Sequence, residues 1–305
     1  MLTVTALPQN RKAIKCKWIL DFKPGHKGVD PRYKARLVAC GYDQLYGVDY
    51  LATYSPVVKH YSIRLVLAIV AVFNLEMLQL DIKTAFLYGK LEETIFMRQP
   101  EGYVIPGREE EVCYLNKPIY GLKQSSNCWN KEFDSDLTKF GFKRSQHDRC
   151  VYLRIRPNRE YIILIIYVDD GLACSNRTKV FEAILEQLRK KFQVRTLPPN
   201  RFVGLDITRN REDRTLSINQ PDFVRRILKR YNMEDCNQVS IPADPKNKVT
   251  AKMSPNTEED KREMEKRPVR EAIGSLMYLE NMTRPDISYA VNQILAFVSN
   301  PGYGH

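Results

Sequence analysis

The stretch Tyr161 to Ser175, YIILIIYVDDGLACS, constrains the fold more than any other part of this chain. An almost unbroken apolar run meets Asp169-Asp170-Gly171 and leaves again as a second, shorter apolar run. A strand apolar on both faces is buried on both faces, so it belongs inside a sheet with cover on each side. Asp-Gly between apolar runs predicts a tight hairpin turn. The plain reading is a turn whose aspartates face water. Against it, two adjacent carboxylates at the end of a buried strand repel each other, and a divalent cation resolves that conflict.

Asp81 fits the same pattern. In LQLDI, Leu78, Leu80 and Ile82 point to one side while Gln79 and Asp81 point to the other. Two aspartates from adjacent strand ends can hold two hard cations, which take oxygen ligands. Paired Mg²⁺ ions clamp the attacking hydroxyl and the leaving pyrophosphate oxygen of a phosphoryl transfer.

Around these strands the chain alternates strand-like and helix-like segments. Strands are expected over Arg32–Gly41, Thr94–Gln99, Val112–Leu115, Cys150–Arg156, Arg201–Arg209 and Thr215–Asn219. The span Ser62–Asn74 reads as a buried helix capped by Ser62. Trp129, Phe133, Leu137 and Phe140 form a helical stripe that stops at Gly141. A third helix, Arg177–Phe192, buries Val180, Phe181, Ile184, Leu185 and Leu188, with Asn176 as its cap. Hairpin-linked strands between helices predict an α+β fold, not an all-parallel sheet. From Pro242 to Arg270 charges are dense and apolar residues scarce, which predicts an exposed linker. Helices near Val269–Met282 and Pro285–Val298 follow, the second with Pro285 at its first position. The ending NPGYGH reads as a cut.

Composition narrows the partners. With 48 Lys+Arg against 36 Asp+Glu the chain carries a net charge of +12, which favours a polyanion such as nucleic acid. The longest apolar runs, Leu65–Phe73 and Tyr161–Val168, fall well short of the roughly 18 residues that a membrane span needs. The first residues show no secretory leader. Seven scattered cysteines without a CxxC pair predict reduced, intracellular thiols. His147 and Cys150 form a lone H-x2-C pair, more readily turn residues than zinc ligands.

The blocks LDIKTAFLYGKLEETIFMRQPEGY, VCYLNKPIYGLKQSSNCWN, YIILIIYVDDGLACS and GSLMYLENMTRPDISYAVNQ occur in that order. RYKARLVACGYDQLYGVDYLATYSPVVK and RFVGLDITRN extend the series. Together they resemble the copia-type long-terminal-repeat retrotransposon reverse transcriptases over nearly the whole chain. The resemblance implies a right-hand polymerase with fingers, a ferredoxin-like palm and a thumb, followed by a C-terminal helical segment. Fingers and palm would fill 1–210, a thumb-like segment 211–243, a polar linker 244–268, and the start of a connection region 269–305. It further implies RNA-directed DNA synthesis by two-metal phosphoryl transfer, with two Mg²⁺ ions (Mn²⁺ able to substitute), dNTPs, and a primed RNA or DNA template.

The resemblance also implies roles for residues. Asp81, Asp169 and Asp170 are the catalytic aspartates, with Asp81 and Asp169 holding the metals and Asp170 the least direct ligand; Tyr167 opens the same YVDD motif. Phe86 matches an aromatic steric gate that rejects the ribose hydroxyl, although a core phenylalanine fits KTAFL equally well by residue type. Gln124 in YGLKQ borders the incoming nucleotide, and Lys34 and Arg36 neutralise its triphosphate; a solvated strand face is the bland alternative for both cations. Phe202, Val203 and Gly204 resemble the primer grip. Arg225, Arg226 and Lys229, with Arg230, form the polar face of a helix whose other side is Phe223, Val224, Ile227 and Leu228. They would track duplex phosphates or simply face water.

Two departures stand out. The family follows YGLKQ with a small residue and Pro-Arg-Ala-Trp, where this chain has Ser125-Ser126-Asn127-Cys128-Trp129, so one cation is lost. In the family an integrase precedes this region and a ribonuclease H domain follows it, and the ribonuclease H carboxylates would lie beyond His305. The expected setting is intracellular, cytoplasmic in a virus-like particle or nuclear, with no membrane. The competing readings are a silent remnant that still binds nucleic acid and, less well supported, a nucleotidyl cyclase on a similar palm.

Overall fold

The computed structural model describes residues 2–23, 30–244, 246 and 248–305. Its strands are β1 (Leu2–Thr5), β2 (Cys16–Lys23), β3 (Arg32–Ala39), β4 (Glu76–Ile82), β5 (Phe96–Arg98), β6 (Val112–Leu115), β7 (Lys143–Arg144), β8 (Val151–Ile155), β9 (Tyr161–Tyr167), β10 (Asp170–Ser175), β11 (Val194–Leu197), β12 (Arg201–Phe202), β13 (Leu205–Asn210) and β14 (Thr215–Asn219). Its helices are α1 (His60–Val72), α2 (Ser125–Lys139), α3 (Lys179–Arg189), α4 (Pro221–Arg230), α5 (Glu258–Glu265), α6 (Val269–Met282) and α7 (Ser288–Leu295). The fold is mixed α/β. No helix among the described residues is long and apolar enough to cross a membrane.

Compactness divides the chain into residues 1–198 and 199–305, rather than after 210 as expected. The reason is pairing: β12 and β13 join β14 in a sheet of their own.

The first unit is built on a six-stranded sheet in the order β11-β4-β10-β9-β8-β7, antiparallel throughout. Four of its strands and two helices follow as β4-α2-β9-β10-α3-β11, a β-α-β-β-α-β series. Alternation aims Leu80 and Ile82 of β4, and Ile162, Leu164 and Ile166 of β9, into one core with Trp129, Phe133 and Leu137 of α2 and Val180, Phe181, Ile184 and Leu188 of α3. Trp129 stacks on Phe133 at 4.8 Å, and Phe192 meets both rings edge-on. The opposite face is covered too, since Ile165, Leu172 and Cys174 are wholly buried, as a two-sided apolar strand requires. A second core joins the sheet β1-β6-β5 to Ile14, Ala39, Ile119 and Leu122.

Local expectations fail in instructive places. The hairpin turn is Val168-Asp169, because Tyr167 pairs with Asp170 and draws Asp170-Gly171 into β10. Helix α1 starts at His60 after Lys59, so Ser62 lies inside it, buried, and caps nothing. Thr178 precedes α3, while Asn176 accepts from the Tyr161 N–H at 3.2 Å and ties β9 to the chain after β10. Arg201–Arg209 is a hairpin, not one strand, with Val203 and Gly204 both at positive φ in its turn. β1, β2, β7 and β11 were not anticipated.

In the second unit, the segment expected as a linker holds α5, whose first turn is capped by Thr257: its side chain accepts from the Asp260 N–H. Met264 of α5 is buried, which anchors the helix. Residues 245 and 247 of that expected linker lie outside the described residues. Phe223 of α4 meets Tyr278 of α6 edge-on at 4.9 Å.

Candidate active site

Residues facing each other across antiparallel strands point to the same side of the sheet. Asp170 pairs with Tyr167 on one flank and Asp81 on the other, and Asp81 pairs in turn with Arg195. One row, Tyr167-Asp170-Asp81-Arg195, therefore crosses β9, β10, β4 and β11. Asp169 sits beside it in the turn, where its carbonyl accepts from the Ile82 N–H at 3.0 Å. All three aspartates are half-buried.

Crowding shows in their acidities. Burial raises the Asp169 carboxyl and Asp81 adds to the rise, while its own backbone N–H, Lys34 and Arg36 oppose it. Burial, then Asp169 and Asp81, push Asp170 up to about 6. Lys34 and Arg36 lie two apart on β3 and so share a face of the β2-β3 ribbon, and it is the face whose charge Asp169 feels.

The backbone bends hard on both sides of these carboxylates. Val168 has φ +57° and Thr84 φ +54°. Both are β-branched, for which this region is strongly disfavoured. Val168 occupies the turn position that a II′ hairpin gives to glycine. Its carbonyl accepts from the indole N–H of Trp129 at 2.6 Å. Thr84 starts the short 3₁₀ turn Ala85–Tyr88, which carries Phe86. Strain of this kind persists where the surroundings over-determine it, often at working sites. Val203, at φ +49°, repeats the pattern in the second unit.

Phe86 is half-buried against the α2–α3 core and meets Tyr120 edge-on, with ring centroids 4.8 Å apart. The Arg36 guanidinium stands 6.0 Å from the Tyr120 ring centre. Burial and Asp169 raise the Tyr120 phenol, Arg36 lowers it, and Asp81 raises it further. Tyr120 thus lies among the Phe86 ring, the Arg36 guanidinium and the carboxylates. Its place is fixed by backbone: Tyr120 C=O accepts from the Ala39 N–H at 2.8 Å. Gly121 follows at φ +91°, where a Cβ would stand 2.1 Å from the Ala39 carbonyl oxygen, and a Cβ on Gly41 would stand 2.2 Å from that of Gly121.

Gln124 is placed otherwise than expected. It is buried, and its amide nitrogen donates to the Asp49 carbonyl at 2.7 Å and to Glu93 at 3.2 Å, while its oxygen accepts from Gln44 at 3.0 Å. The side chain is a tie between the loop at 41–51 and the start of α2, not a surface open to a nucleotide. The altered run after it is well seated. Ser125 Oγ donates to Ile119 C=O at 2.5 Å, Asn127 donates to Tyr54 C=O, and Cys128 is buried.

In the second unit Phe202 points into the interior, leaving Val203 and Gly204 as the tip of their hairpin. Arg225, Arg226 and Lys229 are exposed on α4. Arg225 is already paired with Asp222 at 2.5 Å, and Arg226 lies over the Phe223 ring.

Sequence reasoning missed Tyr120, Arg195 and the hydrogen bond from Trp129. Tyr120 had one usable signal, an aromatic residue directly before a glycine in a turn. Arg195 had none, because VRTL is too short to declare itself a strand.

Among the described residues no three or more His, Cys, Asp or Glu side chains converge as a metal site. Two carboxylates completed by substrate phosphates are what Mg²⁺ commonly takes, and the crowded hard-oxygen pair of Asp81 and Asp169 fits that donor set.

Residues 1–245 match the family model described as reverse transcriptase (RNA-dependent DNA polymerase), and the chain belongs to that family. It is 41% identical over 300 residues to the retrovirus-related Pol polyprotein from transposon TNT 1-94 of Nicotiana tabacum. It is 34% identical over 303 residues to that from transposon RE1 of Arabidopsis thaliana. Each alignment covers 98% of this chain, which spans only 23% and 20% of those polyproteins. Apo telomerase from Candida tropicalis aligns over 72% of this chain and 57% of its own at 11% identity and a TM-score of 0.33, too slight a likeness to bear on the fold. The chain is thus a reverse transcriptase domain of the kind found in retrotransposon Pol polyproteins.

Proposed function

We propose that this chain extends a nucleic-acid primer with dNTPs on an RNA or DNA template. The observation that carries the reading is the register of Asp81 against Asp170 beside Asp169, under a ribbon bearing Lys34 and Arg36. The six-stranded sheet with α2 and α3 serves as a ferredoxin-like palm, and β2-β3 as fingers. The second unit supplies the thumb-like segment 211–243 and, through 269–305, the start of a connection toward further Pol domains such as ribonuclease H.

Asp81 and Asp169 are the residues to hold two Mg²⁺ ions. When bound, such ions activate the primer hydroxyl and offset charge on the leaving pyrophosphate. The remaining work falls to the chain. Lys34 and Arg36 draw in the triphosphate and hold it against the palm by charge. Phe86 occupies the side from which a 2′-hydroxyl would approach. Asp170, beside Asp81 and with its carboxyl pushed up, tunes the charge of the pair instead of serving as the main ligand. Gln124 acts through the Gln44–Asp49–Glu93 network, fixing the wall behind the nucleotide. Val203 and Gly204 present backbone to the primer end, and Arg226 and Lys229 meet duplex phosphates.

The test is primer extension by the purified chain on an RNA template with a DNA primer, Mg²⁺ and dNTPs, with Asp169→Asn in parallel. Extension that falls by at least about a thousandfold in Asp169→Asn, with primer–template binding unchanged, supports the proposal. Salt-sensitive duplex binding without extension in the unaltered chain would mean a silent remnant.

A further inference from the structure

We propose that Tyr120 is a positioning residue for sugar selection: its ring backs Phe86 and fixes how firmly that ring presses on the sugar of an incoming nucleotide. The inference rests on the reading of Phe86 as the gate.

A steric gate discriminates only if it does not yield. Displacement by about 1 Å can cost two orders of magnitude at a reacting centre, and a gate that shifts so far would admit the extra hydroxyl. Phe86 is poorly placed to be rigid alone. It is half-buried, on a 3₁₀ turn of four residues that begins at a strained Thr84. The α2–α3 core supports one side of its ring. On another side stands Tyr120, edge-on at 4.8 Å, a separation at which aromatic pairs attract by roughly 0.5–1.5 kcal/mol beyond simple burial.

Tyr120 is itself held from three directions. Its carbonyl is bonded to Ala39 at the end of β3, and the Gly41–Gly121 approach leaves no room for that segment to slide. Arg36 stands over its ring. The position of the gate is thereby referred to β3, the strand that carries Lys34 and Arg36. Among the described residues nothing hydrogen-bonds the Tyr120 hydroxyl, so the ring, not the hydroxyl, does the supporting.

The experiment measures the ratio of kcat/KM for a dNTP to that for the matching rNTP. Where turnover is too slow, it measures the ratio of Kd values for the ternary complex with primer–template. Phe86→Ala should collapse the ratio. Tyr120→Ala should lower it by about tenfold or more, within the range that small changes in an apolar pocket produce. Tyr120→Phe should keep the unaltered ratio. Phe86→Ala combined with Tyr120→Ala should be no worse than Phe86→Ala alone, because the second residue acts through the first.

An unaltered ratio in Tyr120→Ala, beside a collapsed one in Phe86→Ala, overturns the support and leaves the gate standing. An unaltered ratio in Phe86→Ala overturns the gate and the support together. Should Tyr120→Ala fail to fold, Tyr120→Leu replaces it, with a lowered ratio expected and an unaltered one decisive against. A loss of stability without a change in the ratio counts against the proposal, since a residue needed only for folding would do just that.

Discussion

The Trp129 indole N–H donates to the Val168 carbonyl across 2.6 Å. A buried ring on α2 thereby holds the turn that carries Asp169, at a residue whose φ of +57° no valine adopts freely. Trp129→Phe keeps an aromatic ring on Phe133 but removes the donor. We expect a loss of about 1–2 kcal/mol in stability. Extension should fall more than tenfold while primer–template binding holds. Thermal unfolding and single-turnover extension on the same sample separate the two effects.

Asp170 should weaken the metal-free fold at neutral pH. In the folded state its carboxyl is pushed up to about 6, a weaker acid than the ordinary 3.8. The folded state therefore holds the extra proton between those values, and stability falls as pH rises through that window. Asp170→Asn removes the effect. With solvent screening discounted, the gain at pH 7.5 is about 1 kcal/mol and vanishes below about pH 4. Melting curves in EDTA across pH 4–8 test this, and added Mg²⁺ should narrow the gap between the two proteins.

Gly121→Ala should cost about 2–4 kcal/mol. It places a Cβ 2.1 Å from the Ala39 carbonyl at φ +91°. Denaturant unfolding gives the number. A cost below 1 kcal/mol would mean that the segment can shift, and that Tyr120 is less firmly anchored than argued.

On α4 the three cations should not act alike. Arg226→Ala and Lys229→Ala should each lower the salt slope of duplex binding by about 1. Arg225→Ala should lower it less, because Asp222 already holds that guanidinium. Titrations over a range of KCl concentrations distinguish them.

Much of the six-stranded sheet and its helices was legible because these strands and helices are one-sided or wholly apolar. LQLDI put Leu80 and Ile82 in the core by alternation alone, and the Trp129–Phe133–Leu137 stripe marked α2. β2 was invisible for the opposite reason. Trp18, Leu20 and Phe22 are exposed in it, so no buried face imposed a pattern. β11 is a strand only because Val194 lies beside Ile82, a partner that local sequence cannot name. The turn was misjudged by two positions, since sheet register overrode the preference for Asp-Gly. α5 has a legible cap at Thr257 but a single buried apolar residue, Met264, and its density of charge hid it. At the site, strand ends and resemblance pointed to the aspartates, and the register sets Asp81 beside Asp170. Tyr120 and Arg195 depend on tertiary neighbours and were not.

β4 lies between β10 and β11, and both are made after it. While the chain emerges from a ribosome, β4 therefore waits with both edges bare until β10 is free and with one edge bare until residue 197 is free, and Asp81 has no partner carboxylate until residues 169 and 170 are made. Chains cut short before that point carry an apolar strand open to pairing with any neighbour. In a cell, incomplete copies of this domain should appear as aggregates, not as weak polymerases.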